Sequence, residues 1–290
     1  MRRRTFLSAL PAATALASGL AASIPPRHAR AAPARFVTEY IRDPPPAVRG
    51  AFQYALDQWA RVLTSDVQIP LQMSWDTFGF PVGVNVGRVV NFPGAPRRDV
   101  IYPATLANRI AGSRVAQGAN DFRVGFNARV SVTGVPDVFS WYLGTDGRPS
   151  PVEFDLVTSA MAAIGYALGQ GGTFRTAGTA GQFGTTAGTP YIFDTLLRDA
   201  SGKPLLDYLN NSAELGDALR AGALVDGPRV RVAGGPFRFA EYTGTLDPET
   251  VSTCAGDALF SAFALLPGVA VRAPSAIDVA ILGDMGWGAP

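Results

Sequence analysis

The sequence predicts an α+β fold, with a mixed N-terminal sheet, one strong mid-chain helix and a mainly helical C-terminal half. Two stretches place apolar residues at helical spacing, one early and one in mid-chain. The runs between them alternate with the period of a strand, and a glycine-rich tract then separates residues 32–172 from residues 173–290.

Residues 1–31 read as a targeting segment. Arg2, Arg3 and Arg4 precede an alanine-rich apolar run from Phe6 to Ile24, and Ala29-Arg30-Ala31 has the small-x-small form of a signal peptidase site. The pair Arg3-Arg4 followed by Thr5-Phe6-Leu7 resembles a twin-arginine signal, so a periplasmic or secreted protein is expected, with an N-terminal membrane anchor as the alternative. Pro44-Pro45-Pro46 then opens a helix over about 46–64, because Val48, Phe52, Leu56, Trp59 and Leu63 fall on one face. Val67, Ile69, Leu71, Met73 and Trp75 alternate with polar residues and Pro70, which predicts a strand demoted toward a sheet edge by that proline. Val84 to Val86 and Val89-Val90 predict a hairpin, with a loop at Pro93 to Pro96, and Tyr102 to Ile110 a short helix.

Residues 121–126 and 138–143 predict two more strands, the second closed by the turn Gly144 to Gly147. From Glu153, Phe154, Val157, Met161, Ile164 and Leu168 recur at helical spacing and predict a helix that stops at Gly169. Residues 171–190 predict a long Gly/Thr/Ala loop, and Tyr191 to Leu209 and Ser212 to Ala221 predict helices separated by turns at Ser201-Gly202 and Asn210-Asn211. Val230 to Tyr242 predicts two short strands around Gly234-Gly235-Pro236. A last helix starts at Ser275, with Asp278 three residues on, and ends before Gly286.

Composition narrows the chemistry. The balance of 25 basic and 23 acidic residues gives no field that would gather nucleic acid. Beyond the first segment, no apolar run approaches the roughly 20 residues of a membrane span. The single histidine is His28 and the single cysteine Cys254. Cleavage after Ala31 would remove His28, so no imidazole would remain for serine or cysteine nucleophile systems or for a histidine zinc site. Cys254, beside Ala255 and Gly256, reads as a small buried residue, and Lys203 is the only lysine. No cofactor is expected.

The segment Asp155 to Gly169 resembles the active-site helix of secreted bacterial zincin-like metallopeptidases, of metzincin type, with the pattern D-x-x-[ST]-V-A-x-H-E-x-G-H-x-L-G. The chain keeps Asp155, Thr158, Ala160, Gly165, Leu168 and Gly169. It places Ala162 and Tyr166 at the two histidine positions, Ala163 at the general-base position and Gly172 where a third histidine would stand. Weaker similarities run from about residue 47 to 287: Ala55 to Trp59, Phe126-Asn127, Trp141 to Gly147, Asp257 to Phe260 with Phe260 at the Met-turn position, and Ile277 to Trp287. The resemblance implies a zincin-like fold with a cleft beside the helix, bordered by an edge strand that pairs with extended peptides in active members.

Alanine donates no electron pair to a metal, and one phenol with no neighbouring ligand does not hold one. The expected function is therefore that of an exported, inactive pseudo-metallopeptidase that binds a peptide, a protein segment or an apolar ligand, with Tyr166 and Glu241 as cleft residues. Two alternatives stay open: a hydrolase working through Glu153, Asp155, Glu241, Asp247 or Asp257 without zinc, and a purely structural secreted protein. A structural calcium on Asp146 and the carbonyls of its turn is a further reading.

Overall fold

The computed structural model describes residues 32–78, 81–129, 140–185, 188–238 and 266–288. The targeting segment, Val138 and Phe139, Glu241, Asp247, Cys254, Asp257 and Phe260 lie outside these.

Strand β1 (Phe36–Ile41) leads into helix α1 (Pro46–Val62), which starts with proline at its first turn and buries Val48, Phe52, Leu56 and Trp59. Strand β2 (Ile69–Asp76) follows with Ile69, Leu71 and Met73 buried on alternate positions. It is not an edge strand. The main sheet has the order β1-β2-β6-β3, where β3 is Val82–Val86 and β6 is Phe122–Asn127. Pro70 is tolerated because it sits at the strand start. Its carbonyl accepts the N–H of Asp121 on the β6 side, while its missing N–H points to a level before β6 pairing begins at Leu71.

Strands β1, β2 and β6 are mutually parallel, and β3 is antiparallel to β6. The expected hairpin over the loop at Pro93 to Pro96 is present, but Val84 to Val86 is not part of it and pairs with β6. Strand β4 (Arg88–Val90) turns away from β3 and pairs instead with β5 (Ile101–Pro103), ahead of α2 (Ala104–Ala111). A Cβ at Gly87 would lie 3.0 Å from the Asp121 carbonyl, so the bend between β3 and β4 depends on that glycine.

The mid-chain helix starts later than its periodicity predicts. Glu153, Phe154 and Asp155 form β8 (Glu153–Asp155), which pairs in parallel with β7 (Ser140–Tyr142), and α3 runs over Leu156–Leu168. Every residue of α3 but Tyr166 is buried, as a helix packed on all sides requires. Three side chains clamp its carbonyls: Trp59 Nε1 donates to Met161 at 2.9 Å, Thr105 Oγ1 to Ala167 and Trp287 Nε1 to Leu168 at 2.8 Å.

The second half is less helical than expected. Strands β9 (Arg175–Ala177) and β10 (Ala180–Gln182) fold the glycine-rich tract into a hairpin against α4 (Ala213–Arg220). The approach is close: a Cβ on Gly216 would stand 2.1 Å from the Thr179 carbonyl oxygen. The helix expected over 191–209 is reduced to 3-10 turns at Ile192–Leu196 and Leu205–Asp207, flanking β11 (Leu197–Arg198). The turn expected at Ser201-Gly202 is present, built by Asp199, which accepts Ser201 N–H, Ser201 O–H and Lys203 N–H, so a carboxylate competes for donors a helix would use.

Strand β12 (Leu224–Val225) joins β11 to β13 (Phe237–Arg238). The first of the two strands expected after Val230 is replaced by α5 (Pro228–Val232), whose first N–H groups are taken by Asp284 of α6 (Ala276–Met285). The expected capping box at Ser275 and Asp278 is present at the start of α6. From residue 32 onward the described chain falls in one compact unit, and a single apolar cluster runs from Ala34 to Trp287 across residue 172. Any division there is one of secondary-structure content. Among the described residues no helix is long and apolar enough to cross a membrane.

Candidate functional site

Helix α3 lies against the edge strand β3, and Tyr166 projects from the helix toward the end of that strand. There it helps line a cavity of about 20 Å³ together with Val86, Arg88, Gly169, Gly171 and Tyr191. Such a space holds about one water molecule. The Tyr166 ring packs against bare backbone, since a Cβ on Gly171 would lie 2.4 Å from it.

The other positions expected at this site are not gathered around the cavity. Ala162 and Ala163 are 9% and 5% exposed and pack within the helix surroundings. Gly172 is buried, and a Cβ there would lie 2.8 Å from Asp194 Oδ1 and 3.2 Å from the Phe193 ring. A side chain at 172 therefore starts against Asp194, while Gly171 is the residue beside Tyr166. Among the described residues no three His, Cys, Asp or Glu side chains come together as metal ligands.

The carboxylates near the helix are committed elsewhere. Asp155 caps α3 by accepting the N–H and hydroxyl of Thr158, and it takes both terminal nitrogens of Arg272 at 2.8 and 2.6 Å. Glu153 accepts the N–H of Ser150. In the Gly144 to Gly147 turn, Arg272 donates to the carbonyls of Gly144 and Thr145, so a guanidinium already occupies the position expected for calcium. Asp146 itself accepts the Tyr142 hydroxyl.

Two residues near the cavity carried no sequence signal. Arg88 stacks its guanidinium 4.8 Å from the centroid of the Tyr191 ring. Asp194 lies fully buried beneath Gly172 and accepts Thr173 N–H, Thr173 O–H and Tyr191 N–H. Burial pushes its carboxyl up to about 6, against the opposing pull of those three donors. Its place three residues after Tyr191, in capping-box register, is the one local pattern that could have marked it.

Strand β3 offers a second surface. Asn127 N–H bonds to Pro81 O, and Gly87 N–H to Asp121 O, which fixes residues 81, 83, 85 and 87 as those facing β6. Val82, Val84 and Val86 then turn their N–H and C=O groups to the outer edge, where no described residue pairs with them. In comparison with known proteins, no family model, no curated protein and no solved structure matches the chain.

Proposed function

We propose that the chain is an exported, non-catalytic binding protein on a zincin-like scaffold, which takes an extended peptide along β3. The observation that carries this reading is the outer edge of β3, which no described residue pairs, beside a helix whose positions matching the ligand motif hold Ala162, Ala163 and Tyr166. An antiparallel edge strand next to the helix is the arrangement that the resemblance implies for substrate docking. The nearly filled cavity limits what the strand can accept over Tyr166 to a small side chain, and main-chain hydrogen bonds supply the affinity. The tie of Asp155 to Arg272 weighs against a hydrolase built on that carboxylate.

The test is fluorescence anisotropy with a short Thr/Val peptide and its counterpart N-methylated at alternate positions. The plain peptide is expected to bind and the methylated one to lose binding, because methylation removes the donors the edge requires. Val84→Pro should weaken binding as well, since the Val84 N–H faces outward and its loss spares the ladder to β6. Stoichiometric zinc in the purified protein, or cleavage of the peptide, would overturn the non-catalytic reading.

A further inference from the structure

We infer that the segment taken by the cleft is acidic: an extended peptide with a carboxylate immediately N-terminal to the residues that pair with β3. This rests on the peptide-docking reading above. Past Val86 the chain bends at Gly87 and brings Arg88 onto the wall of the cavity that Val86 and Tyr166 also line. The guanidinium sits over the Tyr191 ring, 4.8 Å from its centroid, on an exposed residue. Arg114, Arg231 and Arg272 each pair with a buried or half-buried aspartate, whereas Arg88 has no carboxylate or carbonyl partner among the described residues.

A planar cation without a carboxylate partner among the described residues, beside a strand edge that none of them pairs, matches a carboxylate in charge and geometry, and it repels a basic side chain. Direction follows from the sheet. The antiparallel pairing that β3 already makes with β6 is the more stable mode per residue, and a ligand in that mode runs from Val86 toward Val82. Whatever reaches Arg88 therefore precedes the paired residues. The cavity of about 20 Å³ requires the residue over Tyr166 to be glycine or alanine.

The probe is acetyl-Asp-Thr-Ala-Thr-Val-Thr-Val-Lys(fluorescein)-amide, with an otherwise identical peptide carrying Asn for Asp, titrated against the full chain. The Asp peptide should bind about tenfold more tightly than the Asn peptide, and that ratio should shrink as salt is raised. Arg88→Gln should reduce Asp-peptide affinity to the Asn level and leave the Asn peptide unchanged, while Arg88→Lys keeps part of the preference. Arg88 is exposed, so these variants should fold, and circular dichroism checks it. If both peptides bind alike and N-methylation still abolishes binding, the acidic preference is wrong and the docking reading stands. If neither peptide binds, the docking reading falls and the preference falls with it.

Discussion

Replacing Asp194 by asparagine should remove a pH dependence that the wild-type protein carries. The carboxyl is held at about 6 in the folded protein against 3.8 for the ordinary group. Because the folded value is the higher one, the folded chain binds a proton that the unfolded chain has lost across this window. Stability from this group is therefore greatest at low pH and declines as pH rises from about 4 through 6. At about 1.36 kcal/mol per pH unit the full gap corresponds to about 3 kcal/mol, of which about 1.5 kcal/mol falls between pH 4.5 and 6. None of the interactions that set the value involves another charge, so the effect should resist added salt.

Asparagine cannot titrate, and it meets a donor wherever its amide points, since backbone N–H groups of Thr173 and Tyr191 face the two oxygens separately. The variant should be less stable at every pH, with about 1–3 kcal/mol for one buried donor left without an acceptor. The assay is urea unfolding of both proteins from pH 4.5 to 7.5. Asp121, raised by burial, and Asp199, lowered to about 2 by Ser201 and Tyr208, are common to both and cancel in the difference. A wild-type minus variant difference that stays flat across that range would refute the assignment.

Met161→Ala or Ile164→Ala should cost about 2–5 kcal/mol in urea unfolding, because both side chains are fully buried on α3. Gly171→Ala should cost about 1–3 kcal/mol by driving a methyl into the Tyr166 ring, and the double variant Gly171→Ala, Tyr166→Ala should recover part of that cost in the same assay. Ala162→His, Ala163→Glu and Tyr166→His together should bind zinc weakly in a competition titration, and adding Gly172→His should lower stability without tightening zinc, since position 172 faces Asp194 and Phe193. Export should require the arginine pair, so Lys substitution at both Arg3 and Arg4 should block processing in a cell-fractionation assay.

The elements that sequence alone exposed are those whose signal is local. Helix α1 showed in Val48, Phe52 and Trp59, β2 in Ile69, Leu71 and Met73, and α6 in the Ser275 and Asp278 box. The misjudged elements depend on partners distant in sequence. Val84 and Val89 alternate as a hairpin would, yet the valine of β3 pairs with β6 and that of β4 with β5. Strand β1 drew no notice because Phe36–Ile41 has one half-buried face, and only its pairing with β2 defines it. Over 191–209 the apolar content favoured a helix, and the side-chain bonds of Asp194 and Asp199 prevailed over it.

The candidate site divides in the same way. Alanine at 162 and 163 could be read directly, because what those residues lack is a property of the residue type. The packing around those positions could not, because it depends on Gly171 lying under the Tyr166 ring and on Asp194 standing against Gly172. The cation at the cleft was hidden for a related reason. Arg88 is one of 25 basic residues, and only the bend at Gly87 and the ring of Tyr191, about a hundred residues away, distinguish it. If the proposed binding role holds, it rests on groups outside the metal-ligand motif that the helix resembles. On this scaffold those groups are a strand edge, a phenol and an arginine, and none of them forms a pattern along the chain.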